Sequence, residues 1–334
     1  MIKVVCFGAR GSLPAPSTAE VGTHVYGGNT TCWLVVCGEA VFIIDAGSGA
    51  RAAGKKLAEF TGSKHINWLL THYHHDHIQG LPFFGPLYNP SFQFRFFGPI
   101  PISRNDGEGT QYKYSKQEVE KVLREQQATP HFPVPFASMP ASKRYFDHPA
   151  QFSTVRKFGG DYSRPVFPGK LLDRKDVVIA EGEGAVVTVT TIPLNHPDGC
   201  SGYRFDYRGA SFVFCTDTEP LRYPLASINR IAQGCDLLVM DGQYTEAEIG
   251  GFAQGFGHGT PASCVEQAVA CGAKALLVTH FDPGRSDMSL SAMEAKMVHS
   301  VQGTSLEGMA SFAKEGAIYT VAASPGNDPS VDDD

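Results

Sequence analysis

The sequence lacks the features that mark several common classes of protein. No run of about 18 or more apolar residues occurs, which argues against a transmembrane helix. The 8 cysteines form no CxxC pair, so they predict buried apolar side chains rather than disulfides or a thiolate metal site. The formal net charge of −6 argues against a dedicated nucleic-acid-binding protein.

The first residues also lack the features of a targeting segment. Residues 1–7 read as a β-strand, without the charged start, long apolar stretch and small-residue cleavage site of a signal peptide. We therefore expect a cytoplasmic protein with no membrane partner.

The charge is unevenly distributed. Residues 104–175 hold 13 Lys and Arg against 8 Asp and Glu, although the whole chain is acidic. A basic segment of this kind would screen or steer an anionic substrate. Incidental charge on a solvated insertion is an equally compatible interpretation.

Short strand-like runs alternate with helical stretches along the 334 residues, which predicts an α/β fold. We predict one domain over residues 1–324. Within it, residues 98–175 are rich in proline, aromatic and charged residues, with one helix-like run at 115–127, and are predicted to form an inserted, lid-like segment. Residues 325–334 lack an apolar anchor and predict a disordered acidic tail.

Polar residues follow several predicted strands directly. Asp45 ends the apolar run 41–44, and His72 follows the run 68–71. Three further strand-like runs precede His196, Asp217 and His280. Because active sites of layered α/β proteins collect at the carboxyl ends of strands, we expect these side chains to converge.

The most unusual segment is HYHHDH, which places four histidines and one aspartate at positions 72–77. If these imidazoles were protonated they would repel one another, and if buried and neutral each would need partners for both ring nitrogens. A divalent ion resolves both problems, since imidazole and carboxylate suit zinc-like ions. The segment therefore predicts a metal site, in which we assign His75 no ligand role.

The spacing of this segment indicates two ions. His72 and His74 would point to one ion, while Asp76 and His77 would turn toward a second. The later strand ends would supply the remaining ligands, with His196 completing the first site, His280 the second, and Asp217 bridging both. Zinc is favoured, although manganese and iron tolerate the same nitrogen and oxygen ligands.

Two carboxylates receive further roles. Asp76 is a catalytic candidate as well as a ligand. Asp45 is better placed to accept a hydrogen bond from a ligand imidazole than to bind metal itself. A carboxylate that caps the turn at 47–49 is the alternative interpretation of Asp45.

The segment THYHHDHIQG, at 71–80, resembles the HxHxDH signature of the metallo-β-lactamase superfamily, and the later His196, Asp217 and His280 follow in the order that this family uses. The resemblance implies an αββα sandwich of two mixed sheets flanked by helices, with the metals at one edge. The carboxylate at Asp217 is unlike the β-lactamases themselves, and His74 is unlike the flavodiiron branch. Hydrolysis is therefore the favoured chemistry.

The segment that leads from Asp241 to His258 resembles the ribonuclease Z and cyclic-nucleotide phosphodiesterase branch of that superfamily. By this resemblance, His258 would contact the phosphate and protonate the leaving oxygen, whereas the alternative is a helix-flanking histidine without a chemical role. The segments around Asn29 and Arg285 resemble the same branch. Asn29 would hydrogen-bond near the site, and Arg285 would contact phosphate or form a structural ion pair.

The favoured hypothesis is a two-metal phosphodiesterase, in which a hydroxide shared by both ions attacks a small, cyclic-nucleotide-like phosphodiester. A nucleic-acid substrate is possible but not favoured, because residues 98–175 do not resemble a Gly/Pro-rich arm that grips RNA. The alternatives are a tRNA 3′-processing endoribonuclease of the ribonuclease Z type, a carbon-ester, lactone or thioester hydrolase, and a non-catalytic metal-binding scaffold. The resemblance also implies a homodimer.

Overall fold

The computed structural model describes residues 1–19, 21–100, 118–149, 155–158, 186–219 and 225–323. Strands and helices are numbered along the chain over these ranges. Within them, no helix combines the length and the apolar character that crossing a membrane requires.

Seven strands form the first sheet. In spatial order they are β14 (Ile318–Val321), β1 (Ile2–Gly8), β2 (Cys32–Cys37), β3 (Ala40–Ile44), β4 (His65–Leu69), β5 (Gln93–Ile100) and β6 (Ser142–Pro149). The pairs from β14 to β3 are antiparallel, and those from β3 to β6 are parallel. The sheet is therefore mixed. Its first and last strands in sequence, β1 and β14, pair with each other.

The second sheet also has seven strands. In spatial order they are β13 (Ala310–Phe312), β12 (Leu276–Thr279), β11 (Leu237–Asp241), β10 (Ala210–Cys215), β9 (Cys200–Tyr207), β8 (Val187–Leu194) and β7 (Val155–Phe158). The pairs from β13 to β10 are parallel, and those from β10 to β7 are antiparallel. Each sheet thus combines a parallel half, whose strands point their carboxyl ends in one direction, with an antiparallel half.

The described helices are α1 (Ala50–Phe60), α2 (His75–Ile78), α3 (Glu118–Gln126), α4 (Ala226–Ala232), α5 (Glu246–Ile249), α6 (Pro261–Cys271) and α7 (Asp287–Ser300). Local signals explain the limits of α6. Thr260 accepts a hydrogen bond from the backbone of Ser263, Pro261 occupies the first turn, and Gly272 ends the helix with a φ of +66°.

Three apolar layers hold the sandwich together. Between the sheets, the ring centroids of Phe42 and Phe205 lie 5.3 Å apart. On the outer face of the first sheet, the buried Trp68 belongs to the same apolar cluster as Leu57 of α1. Each such buried side chain contributes about 1.5–3 kcal/mol. Because α4, α6 and α7 pack on the second sheet in the same way, the layer order is helix, sheet, sheet, helix, and the expected αββα sandwich is confirmed.

The segment 98–175 departs from the prediction where the structure describes it. Its first residues end β5, its strand β6 pairs in parallel with β5, and its strand β7 pairs with β8. These parts extend both sheets and do not form a lid. Within the helix-like run at 115–127, the structure shows α3 at Glu118–Gln126. Residues 127–141 form turns and a short 3-10 helix at Phe136–Ser138. Residues 101–117, 150–154 and 159–175 of the segment, and the tail at 325–334, lie outside the described residues.

Candidate metal centre

The first group of possible ligands joins the loop after β4 to the end of β8. The Nδ1 atom of His74 lies 3.0 Å from Nε2 of His196. His72 packs against both rings, with centroids 4.4 Å from His74 and 4.7 Å from His196. Its Nε2 atom is buried without a hydrogen-bond partner in the described structure. One nitrogen from each of the three imidazoles lies within 4.8 Å of the other two, so the three form a candidate ligand set for one metal ion.

The second group is formed by four atoms: Oδ2 of Asp76, Nε2 of His77, Oδ1 of Asp217 and Nε2 of His280. Oδ2 of Asp76 and the Nε2 atoms of His77 and His280 lie 3.2 to 3.4 Å from one another. Oδ1 of Asp217 lies 3.4 and 3.3 Å from the same two nitrogens. Donor atoms that share one zinc ion at about 2.0 Å in tetrahedral geometry lie about 3.3 Å apart. The set of Asp76, His77 and His280 therefore fits a zinc-like ion in both chemistry and size.

Asp217 connects the two groups. Its Oδ1 atom lies 3.3 Å from Nε2 of His280 in the second group. Its Oδ2 atom is buried and has no hydrogen-bond partner among the described residues. His72 and His77 form a further potential metal-binding set with Asp217. A carboxylate with one oxygen in one group and one uncommitted oxygen can bridge two ions.

Burial gives the first group neutral imidazoles. It lowers the pKa of His72 well below its ordinary value and that of His196 to about 4. Burial also lowers the pKa of His74. Neutral imidazoles keep a free lone pair, which is the state that binds metal.

The second group pairs two carboxylates with two histidines. Burial alone would raise the pKa of Asp76 and of Asp217, but the neighbouring His77 and His280 outweigh it and hold the pKa of both carboxyls below the ordinary range. Conversely, Asp217 leads the carboxylates that raise the pKa of His77 well above its ordinary value and that of His280 to about 9, against the opposing effect of burial. The carboxylates thus stabilise positive charge at the two ring nitrogens, where a bound cation would replace the protons.

Asp45 and Thr71 orient two of the imidazoles. Oδ2 of Asp45 lies 2.8 Å from Nδ1 of His77, and Oδ1 accepts a 2.8 Å hydrogen bond from the backbone of Thr71. The hydroxyl of Thr71 lies 3.1 Å from Nδ1 of His72. Partners on Nδ1 leave Nε2 of each ring for the metal. Asp45 is predicted in this role from its position after β3, whereas Thr71 is not predicted.

Strained backbone fixes three of the strand ends. Asp45, Asp217 and His280 have φ angles of 58°, 62° and 63°. Residues other than glycine rarely adopt this left-handed backbone conformation, and those that do cluster at functional sites.

Two side chains at the end of β11 and in the turn after it, Asp241 and Gln243, contact the site but are not predicted from the sequence. The side-chain oxygen of Gln243 lies 3.0 Å from Nδ1 of His280, and its amide donates to the Ser12 hydroxyl at 3.0 Å. The backbone of Ser12 in turn donates to Oδ2 of Asp76 at 2.7 Å. Asp241 accepts the backbone N–H of Gln243 at 2.9 Å. The missed signal for Asp241 is its position directly after the apolar run of β11, as for Asp217 after β10.

His258 lies beside both groups, just before α6. Its Nδ1 atom is 2.7 Å from Oδ2 of Asp241. Its ring centroid is 5.2 Å from that of His196 and 5.1 Å from that of His280. With Nδ1 occupied by the carboxylate, Nε2 is the nitrogen that remains for another partner.

The structure gives Asn29 and Arg285 roles in holding loops. The Asn29 amide donates to Glu315 at 2.6 Å, and its oxygen accepts from the Ser48 hydroxyl at 2.9 Å. Arg285 forms an ion pair with Glu248. Both side chains are therefore bound within the protein. For Arg285 this is the structural alternative that the sequence leaves open.

Comparison with known proteins gives a consistent family and fold. Residues 25–91 match the family model described as the metallo-beta-lactamase superfamily, and residues 165–281 match that of a beta-lactamase superfamily domain. A ribonuclease Z of Picrophilus torridus is 26% identical over 320 residues, which cover 89% of this chain and 91% of that relative.

Two similar solved structures share the fold. The short form of human tRNase Z superposes with a TM-score of 0.59 at 16% identity, and the match covers 96% of this chain and 99% of that one. A diphosphatase of the PhnP family gives 0.58 at 17% identity and covers 97% and 100%. At these identities the likeness establishes the fold alone.

Proposed function

We propose that this chain, a metal-dependent hydrolase that belongs to the metallo-β-lactamase superfamily, cleaves phosphodiester bonds. The observation that carries this proposal is the position of His258 beside both ligand groups, with Asp241 behind it. When a phosphodiester is cleaved, protonation of the leaving oxygen stabilises the departing group, and His258 is placed to donate that proton.

The two ligand groups would hold two divalent ions, and zinc is favoured. The first ion would take His72, His74 and His196, the second would take Asp76, His77 and His280, and Asp217 would bind both. When bound, such ions lower the pKa of water and neutralise the charge that develops on phosphate. The donor spacing in the second group and the free Oδ2 of Asp217 support this assignment.

The protein's own residues then orient the reaction. Asp241 accepts the Nδ1 hydrogen of His258, which fixes the orientation of the ring. Nε2 of His258 donates its proton to the departing alkoxide. The Ser12 backbone and the Gln243 side chain hold Asp76 and His280 in place.

For the substrate we propose a small phosphodiester of the cyclic-nucleotide type. A second candidate is cleavage of precursor tRNA, because the ribonuclease Z of Picrophilus torridus aligns with 89% of this chain. Hydrolysis of a thioester or lactone is less well supported, because it leaves the Asp241–His258 pair without a role. The homodimer that the family resemblance implies stays a prediction, which analytical ultracentrifugation would test.

Activity on a substrate panel tests the proposal. The bound metal is measured first, and the zinc-loaded protein is then assayed on bis-p-nitrophenyl phosphate, 2′,3′- and 3′,5′-cyclic nucleotides, a precursor tRNA and a simple thioester. We expect hydrolysis of the small diesters. Cleavage of tRNA alone would favour the second candidate, whereas activity on the thioester alone would refute phosphodiester hydrolysis.

A further inference from the structure

The loop between α5 and His258 exposes two aromatic side chains that the metal centre does not use. Phe252 and Phe256 are 66% and 48% exposed. Their ring centroids lie 6.4 Å apart, and both contact the buried ring of Tyr244, at 5.9 and 6.3 Å. Neighbouring exposed aromatic rings form a contiguous apolar surface, and such surfaces often mark ligand-binding sites.

This loop is fixed to the metal centre at several points. The carboxylate of Glu219 accepts the backbone N–H groups of Gly255 and Gly257, each at 2.9 Å. The carbonyl of Gly257 lies 2.9 Å from Nδ1 of His196, one of the proposed ligands. A Cβ atom on Gly257 would lie only 2.1 Å from that nitrogen. The aromatic pair therefore stands at a defined place relative to the metal centre.

The pair also lies close to the proposed proton donor. Tyr244 contacts His258 with a centroid separation of 5.8 Å. Since Tyr244 contacts Phe252 and Phe256 as well, neither phenyl ring can be more than about 12 Å from His258. In a nucleotide whose phosphate lies beside His258, the distance from the phosphate to the base is of this order.

We propose that Phe252 and Phe256 form a stacking platform for the nucleobase of the phosphodiester substrate. This inference rests on the proposed function and adds the class of substrate. Aromatic side chains stack on any base, and such stacking is worth about 1–3 kcal/mol per base. The platform offers ring faces without hydrogen-bonding groups, so it selects for a base without distinguishing one base from another.

The test uses two substrates with the same leaving group. Thymidine 5′-(4-nitrophenyl phosphate) carries a base, whereas methyl 4-nitrophenyl phosphate does not. In the Phe252→Ala/Phe256→Ala double variant we expect kcat/KM for the thymidine ester to fall about 10- to 100-fold. Turnover of the methyl ester should stay within about twofold, because the chemistry is unchanged. The Ile318→Ala variant, which removes an exposed apolar side chain from an edge strand, should leave both rates unchanged.

Equal losses on both substrates, or no loss on either, would refute the platform. A double variant that sediments as a monomer while the wild type is a dimer would also refute it, because the rings would then belong to an interface between copies. Binding of thymidine 5′-monophosphate is measured in parallel by equilibrium dialysis. If the wild type hydrolyses neither ester, the proposed function fails; weaker binding by the double variant would still support the platform, and equal binding would refute it.

Discussion

Asp241→Asn is the substitution that most directly tests the proposed role of His258. Both oxygens of Asp241 accept hydrogen bonds, Oδ1 from the backbone of Gln243 at 2.9 Å and Oδ2 from Nδ1 of His258 at 2.7 Å. A carboxamide has one oxygen, so no orientation of asparagine satisfies both donors. A hydrogen bond to a charged group is worth about 1.5–3 kcal/mol, which corresponds to about 10- to 100-fold in rate.

The assay compares leaving groups that differ in their need for a proton. Thymidine 5′-(methyl phosphate) releases an alkoxide, whereas the 4-nitrophenyl ester releases a stable phenolate. We expect Asp241→Asn to lower kcat about 10- to 100-fold on the methyl ester. His258→Ala should lower it by about 10²- to 10⁴-fold, the usual contribution of general acid catalysis. Both variants should lose far less on the nitrophenyl ester.

Metal content separates this role from a structural one. Both variants should keep the metal content of the wild type, because neither residue is assigned to an ion. His299→Ala removes an exposed histidine from the end of α7 and should leave both esters unaffected. Losses of equal size on the two esters, or loss of metal from the His258→Ala protein, would show that the assignment of His258 as proton donor is incorrect.

Three further predictions concern the metal centre. Asp217→Ala should remove bound metal and abolish turnover. The control His75→Ala, which changes an exposed histidine of HYHHDH, should keep both. Equal metal content in the two proteins would contradict the bridging role. Two ions, each present at about 100 times its Kd, would stabilise the folded chain by about 5 kcal/mol, because they bind only that state. Chelation should therefore lower the melting temperature by about 8 °C, as calorimetry with and without chelator would show. Gly257→Ala should displace His196 and reduce metal binding and activity, since the new Cβ meets that ring. The matched control is Gly255→Ala, because Gly255 has a φ of +84° and open space around its Cβ position. Urea titration should show that this variant loses about 1–2 kcal/mol of unfolding free energy, with its metal content unchanged.

The sequence predicts the layers of the fold better than its edges. Each strand predicted from an apolar run has a counterpart in the structure, and strands such as β3, β10 and β11 are buried along their whole length, which imposes that pattern. The strands β5, β6, β7 and β13 are not predicted. In β6 the segment SKRYFDHP mixes charged and aromatic residues. It becomes a strand by pairing with β5, for example Tyr145 with Phe96, and that pairing depends on the rest of the sheet.

In the site, likewise, residues marked by the local sequence are predicted, whereas residues that matter through contacts with distant parts of the chain are not. The seven predicted ligands converge because each lies in HYHHDH or directly after a strand. Gln243 and Ser12 carry no such mark, as an amide and a hydroxyl are common in loops. Their importance arises when residues 231 positions apart come within 3.0 Å. The partner of His258 is missed for a similar reason, because the contact of Asp241 exists only after β11 and the start of α6 are brought together.

The division of the ligands between the two sheets has a consequence for the time at which metal can be acquired. His72 to His77 follow a strand of the first sheet, whereas Asp217 and His280 follow strands of the second. A ribosome releases the first set more than a hundred residues before the second, and the strand that completes the first sheet, β14, emerges last. Neither donor set is complete until strand ends of the second sheet have been made, and unfolded chains rarely contain a preformed site. Loading of both sites with metal therefore requires that the second sheet has been made and has packed against the first.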